Sequence, residues 1–263
     1  MSPADIAALF SGGLIGLTLG VIGGGGSILA VPLLLYAVGV NSTHIAIGTS
    51  AVAVAVNAAA GALFHARAHT VKWPCAIVFA VSGVTGALLG ARFGKTVDGQ
   101  LLLALFGIVM VVIGLTMLRK KSDGGDPDVR LDPSSARRLM PSLVGAGLGV
   151  GSLSGFFGIG GGFLIVPGLI GATNMPILYA VGSSLVSVAA FGAATAFSYA
   201  QSGLVNWHLA VLLLAGGIVG AFAGAVLSRR LAARKQMLTY VFATIVILVG
   251  LYVTYEGSTT LQL

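Results

Sequence analysis

Glycine is the residue type whose spacing in this chain points most clearly to chemistry. The stretch from Gly20 to Pro32 reads G-V-I-G-G-G-G-S-I-L-A-V-P, and the stretch from Gly155 to Pro167 reads G-F-F-G-I-G-G-G-F-L-I-V-P, with seven of thirteen aligned positions identical. Glycine leaves backbone N–H groups unshielded, and a helix that starts after a break carries partial positive charge at its first residues. Such N–H groups bind oxyanions without any Lys or Arg.

We therefore predict an oxyanion-binding site built from the two clusters and from polar residues in the helices that follow them. No catalytic residue, metal ligand or cofactor is predicted. The hydroxyl groups have two open roles, contact with substrate or capping and bonding to neighbouring helices. The asparagine has a similar choice between lining a pathway and bonding to another helix. The predicted substrate-binding residues are Gly23, Gly24, Gly25, Gly26, Ser27, Thr49, Ser50, Asn57, Gly158, Gly160, Gly161, Gly162, Ser183 and Ser184.

Composition places these glycines in a membrane protein. The chain is 57% hydrophobic and only 8% charged, with a mean hydropathy of +1.03, whereas a soluble domain is about one-quarter charged. Apolar runs recur along the whole length, and many are long enough to cross a hydrocarbon core of about 30 Å. All 14 Lys and Arg fall between these runs, as orientation signals do, so nucleic-acid binding is not expected. Cys75 has no second cysteine with which to form an internal disulfide.

The apolar runs define two halves. The sequence predicts a first transmembrane repeat at 1–118, a cytoplasmic linker at 119–138 and a second transmembrane repeat at 139–263. Further matches support the duplication. A-x-G-T-S at 46–50 corresponds to A-x-G-S-S at 180–184, Trp73 corresponds to Trp207, and G-x-x-G-A-x-x-G-A at 83–91 recurs at 217–225. We predict an all-α fold in which each half opens with a glycine-rich broken or re-entrant helix followed by three transmembrane helices.

Charge decides between parallel and inverted halves. If each glycine-interrupted run crosses once, the two sides of the membrane collect 8 and 6 Lys or Arg. If each run enters and returns, the split is 12 to 2, with only Arg92 and Lys95 on the poorer side. The positive-inside rule favours the second arrangement. It predicts inverted repeats, a cytoplasmic linker, both termini outside, and two broken helices, neither arm of which spans alone, that meet near the midplane.

These motifs resemble the sulfite exporter TauE/SafE family of membrane permeases. The resemblance rests on the duplicated glycine opening, the A-x-G-[TS]-S that follows, and the V-x-W before the third segment of each half (Val71 and Trp73; Val205 and Trp207). It implies transport of small sulfur-containing anions, such as sulfite, sulfonates or sulfoacetate, across the bacterial cytoplasmic membrane. The family's glycine motif falls on Gly23, Gly25, Gly26, Pro32, Gly158, Gly160, Gly161 and Pro167. Ile159 replaces Gly24 and Gly162 replaces Ser27 in the second copy, so the two half-sites differ.

Several alternatives stay open at this stage. A channel-like uniporter of other small carboxylate anions fits the same glycine clusters. An intramembrane enzyme would need a base near Ser154, and no histidine is expected at its depth. Asp5, Asp98 and Glu256 lie at segment ends, so no carboxylate is available to carry protons at the centre. The pairs Gly86/Gly90, Gly145/Gly149 and Gly220/Gly224 suit helix packing, within one chain or in a homodimer.

Overall fold

The first half of the chain is helical throughout, with one irregular stretch. A computed structural model describes residues 2–119, 131, 133–158, 162–230 and 235–260. Helix α1 (Pro3–Ile22) is followed by a 3-10 helix (Gly23–Leu29), the single turn α2 (Ala30–Pro32) and a π-helix (Leu33–Ala37), and then by α3 (Thr43–Arg67), α4 (Trp73–Gly94) and α5 (Gly99–Arg119). We call residues 23–37 the first short arm.

The second half repeats this order. It contains α6 (Pro133–Phe157), α7 (Gly162–Thr173), α8 (Ile177–Gln201), α9 (Trp207–Arg230) and α10 (Lys235–Thr260). We call α7 the second short arm. Residues 133–138, which the sequence assigned to the linker, are the first turns of α6, since proline is well tolerated at a helix start. The rest of the predicted linker beyond Arg119 lies outside the described residues, apart from position 131.

Among the described residues, seven helices are long and apolar enough to cross a membrane. They are Pro3–Val21, Thr43–Arg67, Trp73–Gly94, Gly99–Thr116, Ser135–Phe157, Tyr179–Gln201 and Trp207–Gly224. Three shorter apolar helices, Gly26–Ala37, Leu164–Thr173 and Ala243–Gly257, accompany them. The prediction of an all-helical polytopic membrane protein is confirmed in these terms.

The first helix of each half packs in parallel on a helix of the other half, the one that begins at the tryptophan of the V-x-W motif. Helix α1 lies along α9, with Gly12 beside Leu213 and Gly16 beside Gly217. A Cβ atom on Gly12 or Gly16 would overlap the backbone carbonyl of its neighbour. The helices therefore approach at backbone distance, which small residues permit in membranes, where apolar surface alone does not drive helix association.

The pair α4 and α6 repeats this arrangement with the halves exchanged, because here the first helix of the second half packs on a helix of the first half. Gly86 lies beside Leu148, and Gly94 lies beside Phe156. Because α1 and α6 belong to different halves, each half lends its first helix to the other. The packing role predicted for Gly86/Gly90 and Gly220/Gly224 is confirmed, whereas a Cβ atom on Gly145 or Gly149 would meet nothing within 4 Å.

Equivalent helices of the two halves pack in antiparallel pairs. In the pair α3 and α8, Gly48 lies beside Tyr199 and Gly61 beside Leu185. In the pair α5 and α10, the contacts run from Ala104 beside Gly257 to Gly114 beside Ala243 and Ile247. Helices α3 and α8 also contact α9 and α4, respectively, so these two equivalent helices occupy the centre of the bundle.

Contacts of polar side chains identify the two ends of the bundle. At one, which we call the Asp5 end, His208 Nε2 lies 2.9 Å from Asp5 Oδ1, and Lys95 Nζ donates to the carbonyl oxygen of Ser198 at 3.0 Å. Helices α1, α3, α5 and α9 begin there. At the other, which we call the Lys72 end, Lys72 Nζ lies 4.6 Å from the ring centre of Tyr179. Helices α4 and α8 begin at the Lys72 end.

Leucine at a packed glycine and leucine at an open glycine should behave differently. A Cβ atom on Gly90 would overlap the carbonyl oxygen of Ser152, so Gly90→Leu must push α4 away from α6. We expect a loss of about 1–3 kcal/mol, the usual range for overpacking, read as a lower unfolding temperature of the detergent-solubilised protein. Gly149→Leu is the matched control and should unfold near the wild-type temperature. If both variants lost the same amount of stability, the result would contradict this packing.

Candidate functional site

The two A-x-G-[TS]-S motifs make equivalent hydrogen bonds to the opposite repeat. Thr49 Oγ1 accepts the backbone N–H of Asn206 at 2.9 Å. Ser183 Oγ, at the corresponding position, accepts the backbone N–H of Lys72 at 2.9 Å. Both side chains are fully buried. Each hydroxyl therefore satisfies an N–H at the start of α9 or α4, where the first turn of a helix has no carbonyl partner of its own.

The glycine that precedes each hydroxyl makes this bond reachable. A Cβ atom on Gly48 would overlap the carbonyl oxygen of Leu204, and one on Gly182 would lie 2.5 Å from the carbonyl oxygen of Thr70. The loop before α9 therefore lies directly on α3, and the loop before α4 lies on α8. Each A-x-G-[TS]-S motif therefore contacts the V-x-W segment of the opposite repeat, which is far away in sequence.

The second hydroxyl of each motif bonds within its own helix. Ser50 Oγ donates to the carbonyl oxygen of Ile47 at 3.0 Å, and Ser184 Oγ donates to that of Val181 at 2.8 Å. The sequence left substrate contact and structural bonding open for Thr49, Ser50, Ser183 and Ser184. All four make protein hydrogen bonds in the structure, and substrate contact by them stays a prediction.

The first glycine cluster forms the 3-10 helix that starts the first short arm. Gly26 lies against Thr18 and Leu19, so a Cβ atom there would overlap the backbone of α1. Thr18 Oγ1 also lies 3.4 Å from the carbonyl oxygen of Gly26. Ser27 is fully buried. The chain therefore folds back on α1 immediately after the cluster, and the 3-10 helix contacts α7, α8 and α3.

The second glycine cluster begins with a turn that only glycine suits. Gly158 has φ +67°, and a Cβ atom there would also overlap Ile47 of α3. Its N–H donates to the carbonyl oxygen of Gly155 at 3.2 Å. Gly162 is the first residue of α7. The predicted site residues Gly160 and Gly161 lie outside the described residues.

The expectation that the two glycine turns meet near the midplane is wrong. Gly158 lies beside Ile47, which is near the start of α3 at the Asp5 end, whereas Gly20 lies beside Gly224, toward the far end of α9. The reason is length. Helix α1 has 20 residues and α6 has 25, so at about 1.5 Å per residue each first arm is long enough to cross by itself. The two short arms contact each other between the repeats, through the 3-10 helix of the first arm and α7.

Asn57 is the predicted site residue whose polar atoms lack protein partners. Its side chain is 1% exposed, and neither amide atom has a hydrogen-bond partner. It packs on Gly217 of α9, where a Cβ atom would overlap the amide group. The corresponding pair in the other half is Phe191 on Gly83. An unpaired buried amide costs about 1–3 kcal/mol, so this position favours a bound water or ligand.

Four further buried hydroxyl groups among the described residues have no hydrogen-bond partner, those of Ser154, Ser187, Thr195 and Tyr199. Sequence reasoning considered Ser154 only as a possible nucleophile and did not single out Ser187, Thr195 or Tyr199. The first three have a common feature. A comparison of the repeats gives the signal that could have found them, because the corresponding residues are Leu19, Ala53 and Gly61.

Acidic groups lie only at helix ends in the part of the chain that the structure describes. Ser2 and Asp5 cap α1, with Ser2 N–H donating to Asp5 Oδ2 at 2.8 Å. Asp98 Oδ1 accepts the N–H groups of Gln100 at 2.9 Å and Leu101 at 3.2 Å, which caps α5. No group of three or more His, Cys, Asp or Glu that could hold a metal ion occurs in the described ranges.

The arrangement defines a class of protein, a polytopic helical membrane protein, and comparison with known proteins gives the family. The model of the family described as sulfite exporter TauE/SafE matches residues 8–253. A "Probable membrane transporter protein" of Xylella fastidiosa (strain Temecula1) is 50% identical over 256 residues, covering 97% of each chain. The Bacillus subtilis "Probable membrane transporter protein YunE" is 28% identical over 269 residues, covering 93% of this chain and 96% of its own. No solved structure gives a significant match.

The chain therefore belongs to the TauE/SafE family of membrane transporters. The resemblance found in the sequence is confirmed.

The cross-repeat hydrogen bonds predict a selective effect of alanine. Thr49→Ala or Ser183→Ala removes the acceptor from the partly buried backbone N–H of Asn206 or Lys72, which should cost about 0.5–1.5 kcal/mol and lower the unfolding temperature. Thr49→Ser and Ser183→Thr, which exchange the residues of the two repeats, keep the acceptor oxygen and should be close to wild type. Alanine variants as stable as these exchanges would show that the bonds contribute little.

Proposed function

We propose that this protein is a secondary transporter of small sulfur-containing anions, of the sulfite, sulfonate or sulfoacetate type, working by alternating access at a site between the repeats. The observation that carries the proposal is the packing of the two glycine-broken short arms on one another and beside the central helices. Non-helical backbone in a membrane is tolerated where protein buries it or where it lines a cavity. Discontinuous helices at a repeat interface are the usual substrate site of secondary transporters.

Backbone N–H groups supply the anion affinity in this proposal. The first short arm presents Gly23–Ser27 in a 3-10 helix, and the second begins at Gly162 after the glycine turn. Helix starts attract negative charge, and because the two glycine turns lie toward opposite ends of the bundle, each start acts on the anion from its own end. Because no basic side chain is needed, the anion can bind and leave without breaking a strong ion pair.

Alternating access follows from an inverted repeat, which the helix pairing supports. Helices α3 and α8, and likewise α5 and α10, correspond between halves and run antiparallel. Corresponding helices run antiparallel when two copies of one unit cross the membrane in opposite directions. The two halves then exchange conformations, so that a site open to the Asp5 end in one state opens to the Lys72 end in the other.

The charge distribution supports an orientation in the bacterial cytoplasmic membrane. Arg67 and Lys72 lie at the Lys72 end, and the arrangement in which each glycine-interrupted run enters and returns assigns 12 of the 14 Lys and Arg to this side of the membrane. The positive-inside rule places it in the cytoplasm and both termini outside.

Transport by purified protein tests the function. Proteoliposomes should take up radiolabelled sulfite, thiosulfate or sulfoacetate with saturation, and an imposed pH gradient or potential should reveal the driving force. Gly25→Leu and Gly160→Leu should abolish flux without loss of expression. Gly24→Ile is the matched control, because the second copy of the motif carries Ile159 at this position, and it should retain flux. Absence of flux for every sulfur anion in wild type would refute this substrate class and lead to a screen of carboxylates.

Topology has its own test. A reporter that is active only in the cytoplasm, inserted after Gly124 of the linker, should be active, and the same reporter at the C-terminus should be inactive. The reverse pattern would contradict the orientation but not the family.

A further inference from the structure

Some hydroxyl groups in the described helices bond to the backbone of their own helix, whereas a few buried ones on the central helix α8 and its neighbour α6 do not. Thr173 donates to the carbonyl oxygen of Leu169 at 2.7 Å, and Thr254 to that of Gly250 at 2.7 Å. This is the ordinary way in which a hydroxyl is satisfied in a membrane helix. Ser154, Ser187 and Thr195 are at most 1% exposed and have no hydrogen-bond partner.

Spacing and contacts bring these three hydroxyl groups to one region. Ser187, Phe191 and Thr195 are four residues apart and share a face of α8. Phe191 stacks on Phe79 of α4, with ring centres 6.1 Å apart. The Phe79 ring lies 3.3 Å from the Cβ position of Gly168 on α7, and that position lies 3.1 Å from Val150 of α6.

Ser154 is one turn beyond Val150 on α6. The stacked Phe79 and Phe191 rings therefore lie among α4, α6, α7 and α8. Ser187 and Thr195 flank the rings on α8, and Ser154 follows on α6. The second short arm begins in the same region.

The region continues toward the Asp5 end of the bundle. Tyr199 is one turn beyond Thr195, fully buried, and its hydroxyl also has no partner. Lys95 Nζ lies 5.7 Å from the centre of the Tyr199 ring and bonds to Ser198 and Ser202 at the end of α8. Lys95 therefore lies at the Asp5 end of the α8 face that carries the unpartnered hydroxyl groups.

The first repeat does not repeat these groups. The residues corresponding to Ser154, Ser187 and Thr195 are Leu19, Ala53 and Gly61. The unpartnered buried polar atoms described in the first repeat belong to His44 and Asn57, and Asn57 corresponds to Phe191. The polarity of the two repeats therefore differs at matched positions, although their helices correspond one to one.

We infer that Ser187, Ser154, Thr195 and Tyr199 line a path for the anion through the second repeat, which opens beside Lys95 at the Asp5 end. This rests on the proposed function and names groups that contact the anion as it moves. A hydroxyl donates to an oxyanion without being charged itself, so each contact is weak enough to release the ion to the next. The absence of described carboxylates along α8 favours an anion over a cation in this path.

Thiol labelling tests the path without any assumption about the substrate. Cys75 is the one cysteine of the chain, so Cys75→Ser provides a background for Ser187→Cys and Thr195→Cys. A methanethiosulfonate reagent with a sulfonate group should label both positions in membrane vesicles, roughly tenfold faster than one with a quaternary ammonium group, a difference of about 1.4 kcal/mol. Ala53→Cys, the position that matches Ser187, is the control and should resist both reagents.

Each outcome of the labelling decides something. Failure of both reagents at Ser187→Cys and Thr195→Cys would overturn the path. Equal or faster labelling by the ammonium reagent would overturn its anion preference. Equal labelling of Ala53→Cys would show general access to the bundle and overturn a path confined to the second repeat.

Flux separates the path from the proposed function. Thr195→Val removes a hydroxyl that has no protein partner, so the unfolding temperature should not fall, while anion flux should fall roughly tenfold. Thr254→Val, which removes a bonded hydroxyl on α10, is the control and should keep its flux. If Thr195→Val transports the anion as fast as the wild-type protein does, the path is overturned but the proposed function is not. If the cysteines are labelled but the wild-type protein transports no anion, the path stands and the proposed function is refuted.

Discussion

Backbone contact between helices is the constraint on which the rest of the structure depends. Apolar side chains gain little by leaving lipid, so helices in a membrane associate through close packing and hydrogen bonds. Here α1 lies on α9 and α4 on α6 at glycine positions where no Cβ atom fits. Both pairs join one repeat to the other. Because the halves exchange their first helices in this way, neither can form its core alone, and α3 and α8 are held at the centre.

The polar bonds between the repeats reinforce the same arrangement. Thr49 and Ser183 each accept a backbone N–H from the loop of the opposite repeat, and the glycine before each lets the loop approach. These bonds lie at opposite ends of the central pair, one at the Asp5 end and one at the Lys72 end. Under the proposed alternating access, a movement that opens one end of the bundle and closes the other would keep these two bonds and involve the short arms between them.

Repetition of the backbone did not impose repetition of the chemistry. At matched positions one repeat has Asn57 and the other Phe191, and one has Ala53 and the other Ser187. Helix packing constrains size and shape, so the glycines at which helices touch recur in both copies, as at 83–91 and 217–225. Polarity at a buried position is constrained only by what contacts it. The anion path proposed above runs through positions at which the two repeats differ in polarity.

The sequence by itself determined the class of protein, the duplication and the family, because hydropathy, glycine spacing and the order of motifs are local properties that the chain displays directly. It also assigned the packing role of Gly86/Gly90 and Gly220/Gly224 correctly. Only the tertiary structure decided where the glycine turns lie. The lengths of α1 and α6 carry Gly20 and Gly158 toward opposite ends, a result that depends on where each helix starts. The partner of Thr49 is 157 residues away, and no local pattern records a contact that the exchange of helices creates.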